Sequence, residues 1–107
     1  MSLDSNELVA ERPQMIKHNS YYEGRVQSLG FPTEGGDATS GVLEPGSYNF
    51  GVASRRESIK VVHGVLCDDR TGQLYGALPV PQVLVFNPGE EIEISCEQHV
   101  AYVCCYG

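Results

Sequence analysis

Apolar and polar residues alternate in short runs from about residue 21 to the C-terminus, and turn-forming residues separate the runs. A period of two places successive side chains on opposite faces of a β-strand. No segment keeps apolar residues at helical spacing for three turns, and β-branched residues dominate the apolar runs, so the pattern predicts an all-β fold. The predicted strands are residues 21–31, 41–44, 47–52, 59–67, 73–78, 83–86, 92–96 and 100–106.

Turn chemistry fills the gaps between these runs, for example at Pro45-Gly46, in the Asp69–Gly72 stretch and at Pro88-Gly89. Strands spaced by about ten residues and joined by such turns are typical of a sandwich or a small antiparallel barrel. Since the chain has 107 residues, it has room for one domain. Residues 1–14 are polar and aperiodic, which predicts a disordered extension or a cloning remnant, and residues 15–107 form the predicted domain.

Two of the runs differ in how their apolar residues are distributed. Residues 59–67 are apolar at both odd and even positions, which favours a central strand covered on both faces. Residues 92–96 alternate cleanly, so one face of that strand is expected to be in water.

Charge and cysteine content exclude several classes of protein. Seven Lys and Arg stand against 14 Asp and Glu, and a net charge of −7 disfavours binding to nucleic acids or to anionic membranes. The N-terminus lacks the features of a signal peptide, so a cytoplasmic location is expected. Its four cysteines show no C-x-x-C spacing, which argues against a structural zinc site and fits reduced, mostly buried thiols.

Four stretches of the sequence resemble a known family. They read MIKHNSYYEGRV at residues 15–26, GVLEPGSYNF at 41–50, VVHGVL at 61–66 and AYVCCY at 101–106. Together they resemble the small cupin proteins known as pyrimidine/purine nucleoside phosphorylases, and the resemblance covers residues 15–107 in a single register with small gaps. It implies a cupin-like antiparallel β-barrel, that is, a double-stranded β-helix of the jelly-roll type, and it suggests a homodimer.

The resemblance implies an activity, and the residues themselves argue against a metal. The metal-binding histidines of ordinary cupins are missing, because residues 52–54 read Val-Ala-Ser and the Pro88-Gly89 turn is followed by Glu90. We therefore expect neither a metal nor another cofactor. The family's reaction is phosphorolysis, in which phosphate attacks the anomeric carbon of a purine or pyrimidine nucleoside and yields the free base and ribose 1-phosphate.

Several positions depart from the family pattern. Asp37 and Cys105 stand where other members carry arginines, and Glu90 and Glu93 stand where others carry histidines. These departures keep a second hypothesis open, in which the chain is a catalytically degenerate, metal-free cupin that binds a small metabolite or a partner protein.

Three arginines are candidates for binding phosphate, since a guanidinium can bind phosphate through two hydrogen bonds. Arg25 matches a basic position of the family and is expected on a strand. Arg55 and Arg56 are adjacent in a predicted loop that would open at one end of the barrel. The alternative for the last two is a pair of solvated charges that balance acidic neighbours.

The remaining candidates are acids, bases and aromatic residues. Glu57, by its cupin position, is expected to approach the cavity, where a carboxylate could bind ribose hydroxyls or stabilise positive charge. His63 is expected to share a sheltered face with Ile59 and could act as an acid or base, although a core role is the alternative. Tyr48 and Tyr102 match family aromatics and could bind the base or the ribose, or could simply pack between the sheets.

Overall fold

The computed structural model describes residues 16–107, and these residues contain ten β-strands and no helix. The all-β prediction is therefore confirmed, and no membrane-spanning helix occurs within this range. The prediction for residues 1–14 lies outside the described residues. The strands are β1 (Lys17–Tyr21), β2 (Val26–Thr33), β3 (Gly36–Leu43), β4 (Gly46–Val52), β5 (Glu57–His63), β6 (Val65–Asp68), β7 (Gln73–Gly76), β8 (Val83–Phe86), β9 (Glu91–Cys96) and β10 (Val100–Tyr106).

The strands form two antiparallel sheets that face each other. The larger sheet has the order β1-β2-β3-β10-β5-β8, and the smaller one has the order β4-β9-β6-β7. Each strand sends alternate side chains inward, so the two inner faces together form the hydrophobic core. The largest fully buried side chains come from both sheets: Phe86, Leu43, Leu66, Leu84, Val26, Val61 and Val100.

The first predicted strand, residues 21–31, contains a turn, since β1 ends at Tyr21 and β2 begins at Val26. The chain reverses at Tyr22–Arg25, where Tyr22 (φ 54°), Glu23 (φ 57°) and Gly24 (φ 89°) all adopt positive φ. The sequence shows only one turn-forming glycine at this point, so the pattern alone concealed the reversal. Tyr22 holds it in place, because its hydroxyl donates to the carbonyl of Asn49 and accepts from the amide of Asn49 (2.8 Å) on the opposite sheet.

The long apolar run is also two strands. Gly64 has a φ of +84°, and a Cβ at this position would lie 2.5 Å from the carbonyl oxygen of His99. The chain uses this glycine to pass from β5 in the larger sheet to β6 in the smaller one. The prediction of one central strand covered on both faces is wrong here, since Lys60 and Val62 on the outer face of β5 are exposed. The prediction of one wet face for β9 is confirmed, because Ile92, Ile94 and Cys96 alternate with more exposed residues.

Candidate functional site

A cavity of about 310 Å³ lies between the two sheets. Its walls come mainly from the inward positions of β2, β3, β5 and β10 on one side and of β4 and β9 on the other. The apolar part of the lining consists of Val26, Leu43, Phe50, Val52, Ile59, Leu66, Ile92 and Ile94. The polar part consists of Asn19, Tyr21, Ser28, Thr39, Ser54, Glu57, Tyr102, Cys104 and Tyr106.

One end of the cavity carries a carboxyl group, a phenol and a thiol. Glu57 at the start of β5 is the register partner of Tyr106 at the end of β10. The Tyr106 hydroxyl is 3.2 Å from Oγ1 of Thr39 on β3. Cys104, also on the inner face of β10, has its Sγ 3.9 Å from Oε1 of Glu57. This arrangement brings three adjacent strands of the larger sheet together around one partly buried carboxyl group.

Burial determines the protonation of these groups. It raises the pKa of Glu57 above the ordinary carboxyl value, and the nearby positive charge of Arg55 only partly offsets this effect. Burial, with a smaller contribution from Glu57, raises the pKa of the Cys104 thiol to about 12. Burial likewise raises the pKa of Tyr106 above its ordinary value. The thiol and the phenol are therefore neutral at pH 7, so they can donate hydrogen bonds to a ligand but cannot act as anionic nucleophiles.

The middle of the cavity is lined by Tyr102 and two small polar side chains. Tyr102 is the register partner of Gly41 on β3, which is in turn paired with Ser28 on β2. The amide nitrogen of the Asn19 side chain donates to Oγ of Ser28 at 3.4 Å. Burial raises the pKa of Tyr102 to about 12. This part of the wall thus offers neutral hydroxyl and amide groups of the kind that bind sugar hydroxyls.

The other end of the cavity is aromatic. The rings of Tyr21 and Phe50 both line it, with their centroids 5.9 Å apart and their planes at 81°. Tyr21 is at the end of β1, at the edge of the larger sheet, whereas Phe50 lies on β4 of the smaller sheet. The two rings therefore form a platform that crosses the gap between the sheets.

Arg55 lies beside the polar end of the cavity. The guanidinium of Arg55 lies over the ring of Tyr106, 4.7 Å from its centroid, and its Nη2 is 3.1 Å from Oδ2 of Asp37. Both side chains of this ion pair are at least half exposed. The cation is thus held at the mouth of the cavity, on the same side as Glu57.

The structure places some of the predicted site residues together and separates others. Glu57 lines the cavity, as its cupin position predicted, Tyr102 also lines it, and Arg55 lies at its mouth. Tyr48 is buried outside the cavity lining, and its hydroxyl donates to the carbonyl of Glu44 (2.6 Å). Arg25 lies over the Tyr48 ring at 5.4 Å, in the turn just before β2 rather than on a strand. The binding roles proposed for Tyr48 and Arg25 gain no support from this geometry.

His63 and Arg56 also lie away from the cavity lining. The pairing of β5 with β10 skips Val62, which leaves two residues of β5 opposite one of β10. Such a bulge reverses which face the following residue takes. His63 is consequently exposed, and the expectation that it shares a sheltered face with Ile59 is wrong. Arg56 is exposed, and its carbonyl accepts a hydrogen bond from the amide of Gly107 (3.0 Å).

Sequence reasoning missed several residues of the cavity. Tyr106 and Cys104 could have been found from Tyr102, because residues two and four positions further along a strand share its face. Thr39 and Phe50 had no such signal, since Thr39 lies between the predicted strands at residues 21–31 and 41–44, and Phe50 shows only an apolar side chain. Their positions depend on strand pairing and on how the sheets face each other.

The cavity lining contains no lysine, arginine or histidine among the described residues. Within residues 16–107, no three metal-ligating side chains come together in a group that could hold a metal ion. The chemistry available from these residues is that of hydroxyls, an amide, a thiol, one carboxyl group and the adjacent guanidinium.

Comparisons with known proteins agree with this architecture. The family model described as pyrimidine/purine nucleoside phosphorylase matches residues 16–106. A pyrimidine/purine nucleoside phosphorylase from Magnetococcus marinus is 35% identical over 94 residues, which are 87% of this chain and 100% of that relative. A solved structure of a protein of unknown function from Vibrio parahaemolyticus is 34% identical, with a TM-score of 0.72 over 83% of this chain and 95% of that one.

A solved cupin from Ralstonia eutropha is 12% identical, with a TM-score of 0.62 over 100% of this chain and 68% of that one. This likeness shows the fold, and it confirms the prediction of a cupin-like barrel. The family model and the relative from Magnetococcus marinus show more than the fold. The chain belongs to the pyrimidine/purine nucleoside phosphorylase family.

Proposed function

We propose that this protein is a nucleoside phosphorylase that acts in the cavity between the two sheets. The observation that carries the proposal is the position of Glu57, a partly buried carboxyl group with a guanidinium beside it and a neutral, hydroxyl-rich wall around it. In the reaction, a phosphate oxygen forms a bond to the anomeric carbon of the ribose. The glycosidic C–N bond breaks, and its electron pair leaves with the base, which then takes up a proton.

The cavity has a size and a polarity gradient suited to a nucleoside. Its volume of about 310 Å³ falls within the range of small-molecule sites. Along β10, the inward residues Tyr102, Cys104 and Tyr106 cover about 13 Å at the usual rise of a strand. We place the base against Tyr21 and Phe50, the ribose near Tyr102, and the phosphate at the Glu57 end.

A role for Glu57 follows from the charge that develops during the reaction. Breaking a glycosidic bond gives the sugar the character of an oxocarbenium ion in the transition state. A carboxylate in a site of low polarity stabilises that positive charge far more than it would in water. Ionised Glu57 would also accept hydrogen bonds from the ribose hydroxyls. Its raised pKa means that this form is lost at a higher pH than for an exposed glutamate.

A role for Arg55 follows from its place at the mouth. Its guanidinium can bind phosphate through two hydrogen bonds, and stacking on Tyr106 restricts its orientation. Phosphate bound there would enter next to Glu57, at the end of the cavity opposite the aromatic platform.

All four departures from the family pattern lie outside the cavity lining. Cys105 is exposed, on the face of β10 opposite to Cys104. Glu90 accepts an amide hydrogen bond from Asn87 and forms an ion pair with Arg70 (3.4 Å). Glu93 alternates with the buried Ile92 and Ile94. Only Asp37 among these positions is in contact with a residue that we assign to the site.

One observation favours a second candidate function. The lining of the cavity carries no cation among the described residues, and the arginine at its mouth is already paired with Asp37. A metal-free barrel that binds a neutral metabolite without cleaving it would have the same features.

One experiment distinguishes the two candidate functions. The protein is incubated with a panel of purine and pyrimidine nucleosides, with and without inorganic phosphate, and the free base is quantified by chromatography. The phosphorylase hypothesis expects base release that depends on phosphate, together with equimolar ribose 1-phosphate. It also expects a loss of about 100-fold or more in Glu57→Gln, the usual scale for removing one charge-stabilising group. Binding of nucleosides without release of base would support the second candidate.

A further inference from the structure

Arg55 and Asp37 form an ion pair at the mouth of the cavity. The same guanidinium is the group that we assign to phosphate binding. We propose that Asp37 acts as an internal competitor for the anion site at Arg55, so that its carboxylate sets the affinity of the protein for inorganic phosphate. This inference deepens the proposed function and rests on it for the identity of the anion. In this view, phosphate binds when it displaces the carboxylate of Asp37 from the guanidinium.

The geometry of the pair indicates that displacing Asp37 from Arg55 costs little free energy. A single contact joins the two groups, from Nη2 of Arg55 to Oδ2 of Asp37 at 3.1 Å. The Arg55 side chain is 50% exposed and the Asp37 side chain is 60% exposed. Exposed ion pairs typically contribute only about 0–1 kcal/mol, because water solvates both charges well. Phosphate can instead bind a guanidinium through two charge-assisted hydrogen bonds, which makes it the stronger partner.

The guanidinium keeps its place when Asp37 leaves. Its second contact is the ring of Tyr106, at 4.7 Å from the centroid. That ring is itself held, because its hydroxyl is 3.2 Å from Oγ1 of Thr39 and the residue is on β10 in the middle of the larger sheet. Cation–π contact of this kind persists whether the ionic partner is a carboxylate or a phosphate. An incoming anion therefore meets a cation that is already oriented at the mouth.

Two other described arginines are engaged elsewhere. Arg70 binds both carboxylate oxygens of the buried Asp68 through its Nε (3.0 Å) and its Nη2 (2.9 Å). Arg25 lies over Tyr48 in the β1–β2 turn. Arg55 is the arginine whose charge reaches Glu57, since it partly opposes the rise in the pKa of that residue. The competition between Asp37 and phosphate therefore takes place at the cation that is coupled to the proposed catalytic carboxylate.

The test is a calorimetric titration of the purified protein with inorganic phosphate, at constant ionic strength and with chloride as the competing anion. Asp37→Asn should bind phosphate about fivefold more tightly than the unaltered protein, as expected for the loss of a weak competing ion pair. Glu34→Gln is the matched control, because it removes the same charge from an exposed residue in the neighbouring β2–β3 turn. It should change the affinity less than twofold. Arg55→Gln should abolish phosphate binding, and the double variant with Asp37→Asn should not regain it.

Three outcomes would overturn the inference. They are equal gains in Asp37→Asn and Glu34→Gln, a gain that persists without Arg55, and no measurable phosphate binding by any of the proteins. Failure of the proposed function is distinguishable from these. If phosphate binding follows the expected pattern but no nucleoside releases its base, the anion site is supported and the phosphorylase activity is refuted.

Discussion

Gly41 and Tyr102 are partners across β3 and β10, and the tyrosine hydroxyl occupies the space that a side chain at Gly41 would need. A Cβ on Gly41 would lie 2.5 Å from the hydroxyl oxygen of Tyr102 and 2.9 Å from the carbonyl oxygen of Gln27. The backbone of β3 cannot yield easily, because it is paired on both sides. The glycine therefore determines where the Tyr102 hydroxyl lies in the cavity.

Gly41→Ala should displace Tyr102 and strain the sheet. We expect a loss of about 1–3 kcal/mol in the free energy of unfolding, the usual cost of overpacking a tightly packed position. Urea denaturation measures this loss. Gly35→Ala is the control, since its Cβ would meet only Oγ1 of Thr33 at 4.0 Å, and it should leave stability nearly unchanged. Equal stability of the two variants would contradict the close contact at Gly41.

Tyrosines 48 and 102 should respond differently to loss of their hydroxyls. Tyr48→Phe removes a hydrogen bond to the carbonyl of Glu44 and should cost about 1 kcal/mol of stability, with nucleoside affinity unchanged. Tyr102→Phe removes a hydroxyl that lines the cavity and should weaken nucleoside binding. Thermal denaturation and nucleoside titration of both variants test this contrast. If Tyr48→Phe is the variant that loses affinity, the ligand lies outside the cavity described above.

Phe50→Ala should weaken binding of purine and pyrimidine nucleosides to a similar degree, because stacking recognises the face of any base and reads no hydrogen-bond pattern. Loss of a stacking partner typically costs about 1–3 kcal/mol per base in other proteins, or roughly 5- to 150-fold in affinity. The measurement is KM or Kd for one purine and one pyrimidine nucleoside. A loss confined to one class would show that the platform discriminates between bases.

Glu57 should limit both stability and activity through its raised pKa. A pKa raised by folding means that the protonated form is favoured in the folded state. Its contribution to stability is fully present below the unfolded pKa, near 4.5, and is lost as the pH rises through the folded value. Glu57→Gln mimics the protonated form, so at pH 7 it should raise Tm.

The difference between Glu57→Gln and the unaltered protein should vanish near pH 4, where both side chains are neutral. The rate of base release should fall as the pH decreases, because the carboxylate form of Glu57 is lost. The midpoint of this fall should lie above the pKa of an ordinary carboxyl group. Thermal scans and rates of base release between pH 4 and pH 8 test both statements. A Glu57→Gln variant that is less stable at pH 7 would contradict the direction of the pKa shift.

The fold class followed from local patterns in the sequence. Alternation of apolar residues along β9, from Glu91 to Cys96, is a local property that follows from the geometry of a strand, so it could be read without a structure. The resemblance identified the family, and the cupin position of Glu57 predicted that this residue approaches the cavity, which it lines. Residues two and four positions beyond Tyr102 were equally predictable in principle, because they lie on the same face of β10.

The rest of the site depends on how the strands pair and how the two sheets pack. A bulge at Val62, set by the pairing of β5 with β10, turned His63 outward against the pattern of its own strand. The rings of Tyr21 and Phe50 lie side by side because the two sheets that carry their strands face each other. The pairing of Asp37 with Arg55 joins β3 to the loop before β5. Each of these contacts links residues distant in sequence, and the free energy that selects them comes from packing whole sheets rather than from any local preference.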